Sequence, residues 1–347
     1  MKGTIRLAIT AVLSLAASSW SGADTSAVPG TVPDTMLAAA FDRGGGPEVL
    51  TLHHLPVPRP AAGEVLIAVQ TAGVGAWEID ERRHPAADTH FPVLLGGDGA
   101  GTVAALGSGV HGFKVGDAVY GTIRGTYAQY ATAPADHIAH IPKGIGMSEA
   151  GILAISGLSA LQGIDDVLQV KSGDTLIIHG ATGGVGTLAI QFAKLRGVKV
   201  LATATSDEGM ALARRLGADV VINGRTQDIA AAARRFAPNG VDAVLGLAGG
   251  EALEHCIDTL RGDGRGRVAY LDGMEPLPKP RYGIRMILYS YISGRHEFER
   301  LNQAVTAAKL QVPIAAEYSL ADASQAHKRL EAGHFLGKIV LRVGGSS

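Results

Sequence analysis

The stretch Gly173-Asp-Thr-Leu-Ile-Ile-His-Gly-Ala-Thr-Gly-Gly-Val-Gly186 runs from a buried-strand pattern into a glycine turn. The segment Thr-Leu-Ala-Ile-Gln-Phe-Ala-Lys194 follows at once with helical periodicity. Glycines at such a junction let the backbone come close to a diphosphate, and the free amides at the positive end of the helix hold its charge. Any tight strand-to-helix turn favours glycine, so the motif alone says little. What makes it a dinucleotide signal is the β-α-β pattern that continues after it. Gly183, Gly184, Val185 and Gly186 are therefore candidate pyrophosphate-binding residues.

The second strand of that pattern ends in Leu201-Ala-Thr-Ala-Thr-Ser206, without the acidic residue that grips an adenosine ribose 2′-hydroxyl in NAD enzymes. Its absence removes a repulsive charge from the place of a 2′-phosphate. Ser206 is a candidate donor to that phosphate and Arg225 a candidate counter-charge, so NADPH is favoured over NADH. A solvent-facing Arg225 is the ordinary alternative.

Other reactive side chains carry less. Cys256 is the one cysteine of 347 residues, which rules out an intrachain disulfide and a multi-cysteine zinc site. It sits in a helical pattern, where a buried inert thiol is expected. His53 and His54 are neighbours on a strand, so they face opposite sides and chelate poorly. His137 and His140 are read as surface residues. A formal charge of −1 and the lack of dense Lys/Arg runs argue against a nucleic-acid partner.

The elements that must position the turn fall into two patterns. From Leu37 to about Pro142, short runs bounded by Gly and Pro (Val49–Leu52, Glu64–Gln70, Gly101–Leu106, Asp117–Tyr120) predict a small barrel-like β domain. From about Ser156, strands at 175–178, 198–203, 220–222, 243–247 and 267–271 alternate with helices at 185–196, 208–216, 229–236 and 252–260, which implies a parallel, doubly wound sheet. A helix from Glu297 to about Leu310 and a last strand, 337–343, return toward the first domain. Apolar Val268–Leu271 and Met286–Ile292 offer material for a homodimer contact.

The amino terminus has a basic start (1–6), an apolar stretch (7–17) and small residues before Asp24, the pattern of a secretory signal peptide over residues 1–23. The apolar run is too short for a membrane span of about 20 residues. Residues 24–35 read as a flexible leader. Export is the expectation; a start of translation at Met36, with a cytoplasmic protein, is the alternative.

With these segments in view, the sequence resembles the zinc-free quinone oxidoreductase and zeta-crystallin branch of the medium-chain dehydrogenase/reductase superfamily. The likeness spans roughly Met36 to Val343. Its carriers are Ala40-Phe-Asp-Arg-Gly-Gly-Gly-Pro-Glu-Val-Leu50, Gly96-Gly-Asp-Gly-Ala-Gly101, Val115-Gly-Asp-Ala-Val-Tyr-Gly121, Gly157-Leu-Ser-Ala-Leu-Gln162, Leu216-Gly-Ala-Asp219 and Gly337-Lys-Ile-Val-Leu341. The resemblance implies an α/β protein with a GroES-like, β-barrel-type catalytic domain (36–155 and 297–347) interrupted by a Rossmann NADP-binding domain (156–296). It places Ser159 near the phosphates, and Ala248, Gly249, Leu271 and Gly273 on loops lining the nicotinamide.

Departures from the family are informative. The segment equivalent to Ala72–Trp77 lacks the zinc-binding cysteine of the alcohol dehydrogenases, and Gly97-Asp98 replaces their His-Glu, so no zinc is expected. Gly75 stands for a frequent asparagine, Gly209 for a lysine and Gly224 for a tyrosine. Near the substrate cleft this leaves Trp77, Glu78 and Tyr127 as pocket candidates: Trp77 to stack on a flat acceptor, Glu78 as a proton relay or a solvated carboxylate. The implied reaction is hydride transfer from NADPH to a quinone or α,β-unsaturated carbonyl. An enoyl-thioester reductase, with Lys279–Arg285 as a basic entrance, is the alternative within enzymes. An NADPH-binding sensor or structural protein with little turnover is the alternative outside them.

Overall fold

The computed structural model describes residues 32–344. The signal-like segment 1–23 and the leader as far as residue 31 lie outside the described residues. Chain order begins with the strand Thr35–Phe41, whose residues Met36 and Ala38–Phe41 are buried. It pairs antiparallel with Thr51–Pro56 and Val93–Leu94. The spine of the first domain is the long strand Glu64–Val74, where Val65, Ile67 and Val69 join the barrel core. Alternate residues of a strand share a face, which is why this run feeds one core. On its two sides lie Gly99–Leu106 and the last strand, Lys338–Arg342, and Tyr130–Pro134 also pairs with it. The strand Lys338–Arg342, distant in sequence, thus joins the seven-stranded sheet of the first domain. Between them, Ile314–Ser319 runs parallel to Lys338–Arg342, and the helix Ala323–Glu331 connects the two.

The sheet of the second domain has six parallel strands, Thr175–His179, Lys199–Ala204, Val220–Asn223, Ala243–Gly246, Arg267–Leu271 and Arg285–Tyr289. Across the sheet they lie third, second, first, fourth, fifth, sixth. Both faces are covered: Leu176 and Ile178 enter one core and Ile177 the other. That accounts for an uninterrupted apolar run where a half-exposed strand would alternate. The strand order reverses between Thr175–His179 and Ala243–Gly246, and a doubly wound sheet opens its ligand crevice at the carboxyl ends of the strands at such a point. The helix Ala154–Gln162, buried at every residue, packs against Gly184–Leu195 and links the two domains. Among the described residues no helix is long and apolar enough to cross a membrane.

Candidate active site

At the switch point the glycines do three separate jobs. Gly180 adopts a left-handed φ of 79°, which turns the chain out of the first strand. A Cβ on Gly186 would sit 2.7 Å from Ala181 Cα, so glycine there permits the close packing of helix on strand. A Cβ on Gly183 would meet nothing nearer than Gly180 O at 3.8 Å, so this residue faces open space. Gly183 is the N-cap of the helix Gly184–Leu195 and no side chain caps that end. Free helix amides beside an open glycine are what a pyrophosphate requires, and the residues fit a dinucleotide.

The remaining cofactor candidates converge on the same edge of the sheet. Ser206 follows the second strand and caps the helix Asp207–Arg215, accepting from the Gly209 amide at 3.1 Å. Arg225 follows the third strand, whose Asn223 pairs with Ala204 of the second. It is exposed, and its guanidinium lies 2.9 Å from His334 Nε2. Ala248 and Gly249 follow the fourth strand, and Leu271 and Gly273 end the fifth. Leu247 and the Ala248 amide lie against Gly180. Ser159 is buried, with its carbonyl accepting from Tyr289 Oη at 3.0 Å. The serine hydroxyl placed against the turn is that of Ser156, one helical turn earlier, 3.1 Å from where a Gly184 Cβ would be. Helical spacing of i and i+3 was the signal available for it.

Trp77 stands at the start of the helix Ala76–Arg83 and is 43% exposed. A Cβ on Gly75 would come within 2.5 Å of its Cζ2, and one on Gly97 within 3.3 Å of its Nε1. The glycine standing for the family's asparagine is therefore the space the indole occupies. Lys338 Nζ lies 5.2 Å from the ring centroid, a cation–π arrangement. The same ammonium donates to both oxygens of buried Asp98, at 2.9 and 3.1 Å. Gly73 leaves room for this pair, since a Cβ there would lie 3.0 Å from Nζ. The stem of Lys338 reaches the other half of the site, because a Gly184 Cβ would lie 3.5 Å from its Cβ and Cδ. Sequence reading missed Lys338; its partner is 240 positions away and no local pattern marks it.

Glu78 is not a solvated carboxylate. It is 1% exposed, and burial pushes its pKa up to about 8 against the opposing pull of Gly75, Tyr127 and Lys338. Its Oε2 accepts from the Gly75 amide at 2.7 Å and from Tyr127 Oη at 2.8 Å. Its Oε1 has no partner. Tyr127, expected on the pocket wall, instead has its ring fully buried in the barrel core and acts on Glu78 and on His327 Nε2, 3.1 Å away. His327 Nδ1 is 3.3 Å from Arg82 Nη1, and Arg82 is paired with Glu331. Burial and the Arg82 charge depress the His327 pKa to about 4.

Two further expectations meet the structure here. Cys256 is buried and its thiol pushed up to about 12 by burial. In the basic stretch Lys279–Arg285, Arg281 is already paired with Glu254 at 2.7 Å and Asp258 at 2.9 Å. Where a zinc dehydrogenase would need its ligands, the segment 72–77 offers no sulfur or imidazole, and Asp98 is taken by Lys338. Among the described residues no three His, Cys, Asp or Glu side chains are grouped for a metal.

Comparison with known proteins bears on the whole architecture. Residues 61–143 match the alcohol dehydrogenase GroES-like domain and residues 216–341 the zinc-binding dehydrogenase family. The chain is 31% identical over 319 residues to the quinone oxidoreductase of Mus musculus, covering 86% of this chain and 95% of that one. It is 29% identical over 330 residues to a 2-haloacrylate reductase of a Burkholderia species, covering 88% and 98%. The solved structure of the Escherichia coli quinone oxidoreductase complexed with NADPH superposes with a TM-score of 0.80 at 26% identity, covering 89% of this chain and all of that one. Fold and site together define an oxidoreductase with a GroES-like and a Rossmann domain. The chain belongs to the medium-chain dehydrogenase/reductase superfamily, in its quinone oxidoreductase branch.

Proposed function

We propose that this protein is a zinc-independent, NADPH-dependent reductase of quinones or α,β-unsaturated carbonyls. The observation that carries the reading is the half-exposed Trp77 ring, set against Lys338, whose stem lies beside the dinucleotide turn. A bound reduced nicotinamide supplies two electrons and a proton as hydride. The free amides of residues 184–186 hold the pyrophosphate, and Ala248, Gly249, Leu271 and Gly273 border the nicotinamide. Ser206 and Arg225 face the 2′-phosphate. Trp77 presents a flat apolar face to a planar acceptor. Among the described residues no group of side chains is arranged to hold a metal against the acceptor, so the reading requires an acceptor that itself delocalises the charge that hydride brings, as conjugated carbonyls and quinones do. The relatives named as a quinone oxidoreductase and a 2-haloacrylate reductase support that substrate class. The edge strand Arg285–Tyr289, with Leu288 and Ile292 exposed, is proposed as a homodimer contact, which light scattering at micromolar concentration checks.

The test follows NADPH and NADH absorbance against quinones, enones and crotonyl-CoA, with and without a chelator. Chelator-insensitive NADPH consumption with a quinone or enone is expected. Faster turnover with NADH overturns the cofactor preference, a higher rate with crotonyl-CoA moves the enoyl-thioester reading forward, and binding without consumption makes the protein a sensor or structural element.

A further inference from the structure

Reduction of a conjugated carbonyl needs a proton as well as a hydride, and the buried cluster on Gly75 is built around a carboxyl group, that of Glu78. The hydrogen bonds that converge there have a single polarity. A guanidinium only donates, so Arg82 Nη1 gives its hydrogen to His327 Nδ1. The neutral ring then carries its own hydrogen on Nε2 and donates it to Tyr127 Oη. The Tyr127 hydroxyl is left to donate to Glu78 Oε2, the same oxygen that receives the Gly75 amide. Oε2 is thus satisfied twice. Oε1, equally buried, receives nothing. The nearby ammonium of Lys338 gives its hydrogens to Asp98, whose carboxylate offsets its charge. A carboxylate with one bare buried oxygen carries an unmet desolvation cost, whereas an acid with its hydrogen on Oε1 does not carry the charge at all.

We propose that Glu78 is held as the neutral acid with its hydrogen on Oε1, and that this hydrogen is the proton delivered to the acceptor; the proposal rests on the reductase reading. Gly75 joins the acid to the cleft, since its amide binds Glu78 and its Cα face carries the Trp77 ring. The step balances. The acceptor's β-carbon gains hydride from a reduced nicotinamide, its C=C pair shifts to form an enolate, the Oε1–H bond breaks, and the proton joins the enolate while Glu78 becomes a carboxylate. For a quinone, the hydride and this proton give the hydroquinone. Water then reprotonates Glu78. Delivery requires the acceptor to come within hydrogen-bond reach of Oε1 or one water molecule to bridge them. Groups facing Glu78 from other elements are Tyr127, Lys338 and Asp98, with His327 and Arg82 behind Tyr127.

Glu78→Gln keeps an oxygen for Gly75 and Tyr127 and removes the acid. Infrared spectra of the wild type at pH 7 should show a protonated-carboxyl stretching band, absent in E78Q, that fades as pH rises through about 8. In kinetics, kcat should fall along the same alkaline limb. E78Q should lose on the order of 10²-fold in kcat or more, without that limb and with unchanged NADPH affinity. Tyr127→Phe removes a bond that favours the carboxylate, so band and limb should both move to higher pH. That shift tests the idea even if E78Q folds poorly. The proposal is overturned if the wild type shows no such band, or if E78Q keeps kcat within about threefold with the limb intact. If the wild type reduces none of the acceptors, the reductase reading fails, and the infrared band alone decides whether Glu78 is the acid.

Discussion

The two sides of the cleft are built by opposite means. The dinucleotide side is backbone: a strand, a turn whose glycines differ in what they permit, and bare helix amides, all within residues 175–195. The acceptor side is side chain, assembled by Lys338 on Asp98, Tyr127 on Glu78 and Arg82 on His327, partners 49 to 245 positions apart. A backbone site tolerates loss of a neighbour and fails when a methyl group is added. A buried ionic site tolerates small changes of volume and fails when one partner goes.

The largest effect that sharpens this contrast is expected from Lys338→Met, which strands Asp98 as an unpaired buried charge. It should cost about 3–5 kcal/mol, read by denaturant unfolding, and the double variant with Asp98→Asn should recover much of it. Full destabilisation in the double variant would break the assignment. Next comes pH. Glu78 has a folded pKa raised to about 8, so its contribution to stability is complete below its unfolded value near 4.5 and is lost as pH rises toward 8. Relative to E78Q, the wild type should lose about 1.4 kcal/mol per pH unit across that window. Equal slopes in the two proteins would show the carboxyl to be ionised. His327, depressed to about 4, acts in the opposite sense on acidification and cancels in this difference.

On the dinucleotide side, Gly186→Ala forces a methyl against Ala181 and should cost about 1–3 kcal/mol of stability. Gly183→Ala should leave the melting temperature nearly unchanged and weaken NADPH binding, because its methyl enters the open space over the helix amides. If calorimetry finds both variants equally stable, the separation of roles among these glycines is wrong. The smallest effect belongs to Trp77→Ala. Loss of stacking should lower kcat/KM for quinones by an amount equivalent to about 0.5–1.5 kcal/mol, with NADPH affinity unaltered.

The same contrast decides what was legible in the sequence. The doubly wound sheet could be read because each element carries its own period: the helix Ile229–Phe236 and the strand Arg267–Leu271 lie where the pattern puts them. The strand Thr35–Phe41 could not. Its Met-Leu-Ala-Ala-Ala has no alternation and favours helix, and pairing with Thr51–Pro56 overrides that preference. Trp77 could be named as an aromatic candidate from its segment, but its contact with Lys338 could not be read there. Glu78 misled because a carboxylate in Glu-Ile-Asp-Glu-Arg-Arg reads as a charged surface helix, while its burial depends on Tyr127 and His327 arriving from distant elements. Lys338 lay inside a recognised closing motif, yet nothing local shows that its ammonium turns inward.

That closing segment also bears on how the molecule comes to exist. Gly337 donates to Thr182 O at 2.8 Å, Lys338 completes the pair with Asp98, and Val340 and Leu341 are wholly buried against the strand Glu64–Val74. The six-stranded sheet ends at Tyr289, so all its strands have been synthesised before these residues appear. During synthesis the parallel sheet can close around its own core, while the sheet of the first domain still lacks the strands Ile314–Ser319 and Lys338–Arg342 and Asp98 lacks its partner. The domain whose strands come first along the chain is therefore the one whose sheet is completed last in sequence.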